Sequence, residues 1–203
     1  MNRRWWLGMA VAMSLVAATG RVLAADEAPD ALIKRLSSEI LAGGNARDAG
    51  DASRIMVLVD TKIMPNVDFA RMTASAVGRT WRQASPEQQS RLQEEFKALL
   101  VRTYAGALTQ VKDQTVSIKP SRAAPEDTEV IVRTAIKGQG SPIHVDYRLE
   151  KSAAGWRVYD LNVMGVWLVE AYRGQFAAEI NAKGIDGLIA ALAERNKANV
   201  RGS

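Results

Sequence analysis

Residues 85–111, SPEQQSRLQEEFKALLVRTYAGALTQV, decide how the rest of the chain folds. Ser85 is placed to cap the free backbone N–H groups of a helix start, Pro86 suits the first helical position, and Gln88 completes a capping box. Beyond it, Leu92, Phe96, Leu99, Leu100, Thr103, Tyr104, Ala107, Leu108 and Val111 recur at spacings of three and four, with Glu94, Glu95, Lys97 and Arg102 largely off that stripe. The spacing predicts one long amphipathic helix with a buried apolar face. That face could meet a sheet as plain core or line an apolar ligand cavity, and periodicity alone does not separate the two.

Outward toward the N-terminus, residues 31–41 read as a helix with Leu32, Leu36 and Ile40 on one side, ended by Gly43-Gly44-Asn45. Asp51 can cap the next segment, in which Ile55, Met56, Leu58, Val59 and Ile63 run up to Met64-Pro65; the residue before a proline is pushed out of helical geometry. A shorter helix starts at Asp68 and carries Phe69, Met72, Ala76 and Val77 toward Gly78-Arg79-Thr80-Trp81.

On the C-terminal side the period changes to two. Residues 115–119, 129–137 and 143–151 alternate, the last with Ile143, Val145, Tyr147 and Leu149 opposite His144, Asp146, Arg148 and Glu150. The short turns between them favour an antiparallel meander. A fourth strand, 156–164, has apolar residues on both parities, so both its faces are expected to be partly covered. Gly165 ends it, and Leu168, Val169, Tyr172, Phe176 and Ile180 then recur at helical spacing up to Lys183-Gly184, before a last helix at 186–195. The order predicts one α+β domain in which helices cup one side of a four-stranded antiparallel meander.

Residues 1–24 stand apart: Arg3 and Arg4 precede an uncharged run from Trp5 to Gly20, and Val22-Leu23-Ala24 offers small residues for cleavage. This predicts a removed export signal, with residues 25–203 as the mature domain. With three of the 27 Lys+Arg in that leader, 24 remain against 22 acidic residues, a net of +2. So mild a charge argues against nucleic acid as a partner. The absence of cysteine excludes disulfides and thiolate chemistry.

An enzyme needs groups that move protons, attack or hold a metal, and the supply here is thin. His144 is the sole histidine and falls on the polar parity of its strand. No glycine-rich phosphate loop or nucleophile elbow is present. Of the aspartates beside apolar segments, Asp68 reads as a helix cap, Asp60 as a helix-surface residue, and Asp160 has no assignment. Against this stands a supply of bulky or flexible apolar side chains spread over many elements, methionines included, of the kind that adapts to irregular apolar ligands. The chain is therefore read as a non-enzyme without cofactor or metal.

The motifs Ile63-Met64-Pro65 with Asp68-Phe69, Gly78-Arg79-x-Trp81-Arg82, Ser85-Pro86-Glu87-Gln88, Leu99-Leu100-x-Arg102-Thr103-Tyr104, Val158-Tyr159-Asp160-Leu161, Gly165-Val166-x-Leu168-Val169, Tyr172-Arg173-x-Gln175-Phe176 and Gly184-x-Asp186-Gly187-Leu188-Ile189 follow one another in the order of the MlaC family, also called the toluene-tolerance auxiliary family, and the chain resembles it along most of its mature length. The resemblance implies a periplasmic, monomeric phospholipid carrier serving outer-membrane lipid asymmetry. Its partners are an outer-membrane lipoprotein complex and an inner-membrane ABC lipid transporter, and its fold an NTF-like cone with acyl tails between helices and sheet. Helix stripe and strand parity together then place an acyl pocket at Met64, Phe69, Trp81, Phe96, Leu100, Tyr104, Val132, Val145, Tyr147, Leu161, Val163 and Tyr172. Arg79, Arg82 and Arg102 are candidates for head-group contact or partner docking. Trp167 and Asn66-Val67 depart from the family pattern, and both departures are expected at the pocket mouth. The competing readings are a small isomerase or hydrolase on the same cone, with Asp160 or Tyr147 as its acid or base, and a periplasmic adaptor whose groove takes a partner helix.

Overall fold

The computed structural model describes residues 27–44, 57–109, 114–120, 124, 126–138 and 140–201. Residues 1–24, Asp51, Ile55, Met56 and Val111 lie outside them. Helix α1 spans Pro29–Gly44. A π-helical turn, Val59–Ile63, and a 3-10 turn, Met64–Asn66, follow, with no buried residue in either. Helix α2, Phe69–Val77, starts where Asp68 Oδ1 accepts the Arg71 N–H at 2.8 Å, so Asp68 is the cap its position suggested. After the 3-10 turn Gly78–Gln83 comes α3, Pro86–Thr109. Its start is the expected capping box. The Gln88 N–H donates to Ser85 Oγ at 3.2 Å, and the Ser85 N–H donates to Gln88 Oε1 at 3.0 Å.

The sheet is antiparallel throughout, in chain order: β1 Thr115–Lys119, β2 Glu129–Lys137, β3 Ile143–Ser152, β4 Gly155–Val163 and β5 Val166–Trp167. It therefore has five strands where the sequence suggested four. The fifth forms because Met164 and Gly165 both take positive φ (51° and 91°), as a two-residue hairpin of the type I′ class needs, and Val166 pairs back onto Val163. The Gly165 N–H donates to Asn162 Oδ1 at 2.8 Å, fixing the turn.

The register also explains the mixed pattern of β4. Arg148 faces Asp160 but Leu149 faces Val158, so Tyr159 is an extra residue, a β-bulge. One extra residue reverses the parity of everything beyond it. Trp156 and Val158 before the bulge and Leu161 and Val163 after it thus share one face with Val132, Val145, Tyr147 and Leu149. Both parities of β4 are apolar because one face needs both, and the other face is covered as well, as expected, with Asp160 and Asn162 buried. The other face carries Glu129, Arg133, Asp146, Arg148, Glu150 and Asp160.

Helix α4, Leu168–Arg201, is two arms joined at Gly184, whose φ of 72° and ψ of −174° break the helix where a glycine avoids the Cβ clash. The helices pack on the inner sheet face in two clusters. Met72, Leu92, Phe96, Leu99, Phe176, Leu188 and Leu192 bring α2, α3 and both arms of α4 together. Leu32, Ile33 and Leu36 of α1 pack on Val130, Val132, Leu149 and Val158. Val67 and Leu161 pack against both. Thr103, on the apolar stripe by spacing, is exposed.

Candidate functional site

The inner sheet face is sealed at one end and loose at the other. Val130, Leu149 and Val158 are buried under α1, whereas Ile136, Val145 and Val163 are half-buried and Ile143 is exposed, toward the 138–142 turn. The C-terminal end of α3 leads to this loose end, because only residues 110–114 separate Thr109 from β1, whose Thr115 pairs with Lys137.

Of the twelve proposed pocket residues, Phe69, Trp81, Phe96, Leu100, Tyr104, Leu161, Val163 and Tyr172 belong to the helical cluster, and Val132, Tyr147 and Leu161 to the cluster under α1. Met64 and Val145 are half-buried and belong to neither. Only Phe96, Leu100 and Val132 are fully buried. The other nine are half-buried, and seven of them, all but Met64 and Val145, pack on a core cluster while keeping open surface. Half-buried apolar side chains are ordinary when scattered, but a set gathered along one sheet face and the helices over it is what a bound apolar guest would cover. Phe96 anchors the wall, with ring centroids 5.7 Å from Phe69, 5.0 Å from Tyr172 and 5.1 Å from Phe176.

The polar chemistry of this region is quiet. Burial raises the pKa of the Tyr104, Tyr172 and Tyr147 phenols, the last against hydrogen bonds from Thr134 and Ser37, so all three stay neutral. Asp160 turns its back on this space. On the outer face, Arg148 Nη1 donates to its Oδ2 at 3.0 Å, while the N–H groups of Leu161 and Val169 donate to its Oδ1 at 2.8 and 3.1 Å. It is a strand carboxylate that caps α4. Of the two groups on which the enzyme reading rests, Asp160 faces away from the apolar space, and Tyr147 faces it as a neutral phenol. Among the described residues no group of three or more His, Asp or Glu side chains could hold a metal.

Trp167 turns to the outer side of the sheet. It pairs with Asn162 on the outer face, and the Arg148 guanidinium lies 3.7 Å from its ring centroid. Asn66 accepts from Arg35 at 3.2 Å, and Val67 bridges to Val158.

The three candidate arginines do not converge. Arg79 and Arg82 are exposed in the turn before α3. Arg102 lies 16 residues beyond Pro86 on α3, about 24 Å along the axis at 1.5 Å per residue. Arg102 Nη1 donates to the Asn196 carbonyl at 2.5 Å, tying α3 to the second arm of α4. One phosphate cannot meet all three. The joint substitution Arg79→Glu and Arg82→Glu should therefore leave lipid retention within twofold of wild type if head groups sit at the loose end, and lower it if they sit at the start of α3; lipid phosphorus per protein measures this.

A curved antiparallel sheet with helices over its inner face and apolar side chains left half-covered between them defines a small binding-protein fold. The MlaC protein profile matches residues 30–194, and the chain belongs to the MlaC family. A phospholipid-binding protein from Ralstonia solanacearum, solved in complex with a phospholipid, is 47% identical, with a TM-score of 0.82 over 87% of this chain and 99% of that one. The intermembrane phospholipid transport system binding protein MlaC of Haemophilus influenzae is 22% identical over 92% of this chain and 90% of its own. Toluene tolerance protein ttg2D of Pseudomonas putida is 30% identical over 105 residues, 52% of this chain, and this match spans 49% of ttg2D, about half its length.

Proposed function

We propose that this protein is a periplasmic carrier that moves phospholipid between outer and inner membranes, with no chemical step. Residues 1–24 direct export and are removed, and residues 25–203 form one monomeric phospholipid-binding domain. The donor and acceptor are an outer-membrane lipoprotein complex and an inner-membrane ABC lipid transporter. The observation that carries the reading is the half-covered apolar set shared by the helices and the inner sheet face, in a fold close to that of a protein solved with phospholipid. The energetics demand such a set: on the order of 30 methylenes of a diacyl lipid cost ~0.8 kcal/mol each in water. A soluble carrier must hide them.

Val145 offers the cleanest test. It is half-buried on the central strand and belongs to neither core cluster, so Val145→Trp is expected to disturb core packing less than a substitution at a cluster residue. Native mass spectrometry of protein purified without detergent should find bound glycerophospholipid in wild type and at least fivefold less in the variant, with the melting temperature held. Equal occupancy would remove Val145 from the pocket, and an empty wild-type protein would overturn the carrier reading. Leu100→Trp is less informative, since Leu100 is packed in the helical core and a larger ring there overpacks it.

A further inference from the structure

Three of the exposed large apolar side chains meet at one corner of the fold. Met164 is 71% exposed, Val166 54% and Ile143 39%. Val166 pairs with Val163, which pairs with Val145, and the Met164 N–H donates to the carbonyl of His144 at 3.0 Å, next to Ile143. The corner continues directly into the loosely covered inner face at Val145 and Val163.

Its backbone is unfavourable for the residue it carries. Met164 is the one non-glycine with positive φ among the described residues. At the first central position of such a hairpin, asparagine or glycine is at ease and a long apolar side chain is not. A residue that is both strained and exposed is of no use to the fold itself.

From this we infer that Met164, Val166 and Ile143 form the contact through which lipid is handed to or from a partner protein, an inference that rests on the carrier reading. The occupant is a protein with an apolar rim rather than an anionic bilayer. Surface attraction to anionic lipid needs a cluster of cations, whereas of the strand lysines and arginines only the exposed Lys137, next to the Ile136–Ile143 pair, stands at this end of the sheet; Arg133 and Arg148 lie on the outer face beside Asp146 at 3.8 Å and Asp160 at 3.0 Å. A second copy of the chain fits no better, because three side chains present a few hundred Å² at most, well short of a stable dimer interface. A small apolar contact suits a brief encounter, and a carrier must leave again.

The test loads wild type, Met164→Asn and Val166→Ser with fluorescent phosphatidylethanolamine. Each is mixed with vesicles of phosphatidylethanolamine and phosphatidylglycerol, either plain or containing the inner-membrane ABC lipid transporter of the same organism. Met164→Asn should retain wild-type lipid occupancy, gain about 2–4 °C in melting temperature as strain is relieved, and transfer lipid to transporter vesicles at least tenfold more slowly. Val166→Ser should slow transfer in the same direction. Wild-type transfer rates in both variants would overturn the inference, as would an equal slowing toward plain vesicles, which would make the corner a membrane contact. Wild-type protein that takes up no lipid would fail the carrier reading instead, before any transfer is measured.

Discussion

Asp160→Ala should lower stability by about 3 kcal/mol, the lower end of what breaking a buried ion pair costs. The carboxylate is 1% exposed and holds three donors at once. Its removal strands the Val169 and Leu161 N–H groups, at roughly 1–3 kcal/mol for each buried donor left unpaired. Arg148 keeps some solvent, with Glu170 and Trp167 beside it, which is why the expected value stays at the low end. Asp160→Asn keeps an acceptor for both N–H groups and should cost about 1 kcal/mol. Denaturant titration resolves the two, and equal losses in both variants would show that the charge rather than the cap is what matters.

The same pair of proteins gives a pH test. Burial, the largest influence on Asp160, raises its pKa even though the two N–H groups and Arg148 pull it down. A carboxyl with a raised folded pKa adds stability that is complete below its unfolded value, about 3.9, and is lost as pH rises through the folded value. The stability difference between wild type and Asp160→Asn should therefore move against wild type as pH rises across that interval. A difference moving the other way would mean that Arg148 dominates.

Phe96→Ala should cost about 3–5 kcal/mol, the range for removing a buried aromatic ring from a packed core. Phe96 is fully buried, and three rings from α2 and α4 converge on it. Edge-on ring pairs contribute about 0.5–1.5 kcal/mol each beyond burial. At about 2–4 °C per kcal/mol for a chain of this size, the melting temperature should fall by roughly 6–20 °C. Phe96→Leu should recover about half of the loss, and a drop of less than 2 °C for alanine would mean that the rings do not support one another.

Much of the architecture is legible from local chemistry. Ser85 and Gln88, Asp68, the alternation of β2 and β3, and the break at Gly184 each leave a signature within a few residues. What escapes depends on distance. Alternation in β4 cannot distinguish a strand covered on both faces from one with a bulge, because both place apolar residues on both parities; only the partner register separates them. A Met-Gly pair is a poor hairpin signal, so β5 merges with the helix that follows it. Asp160 has no meaning until Arg148, twelve residues earlier, and Val169, nine later, come to it. The separation of Arg102 from Arg79 and Arg82, by contrast, follows from helix rise alone.

The double core carries a consequence of its own. Val67 and Leu161 are the side chains packed against both clusters, so the apolar interior has a seam. Exposing two such side chains costs about 3–6 kcal/mol at 1.5–3 kcal/mol each, whereas unfolding a domain costs about 5–15 kcal/mol. The line between the clusters is therefore held by fewer side chains than hold either cluster together, which makes it the weakest line of the apolar interior.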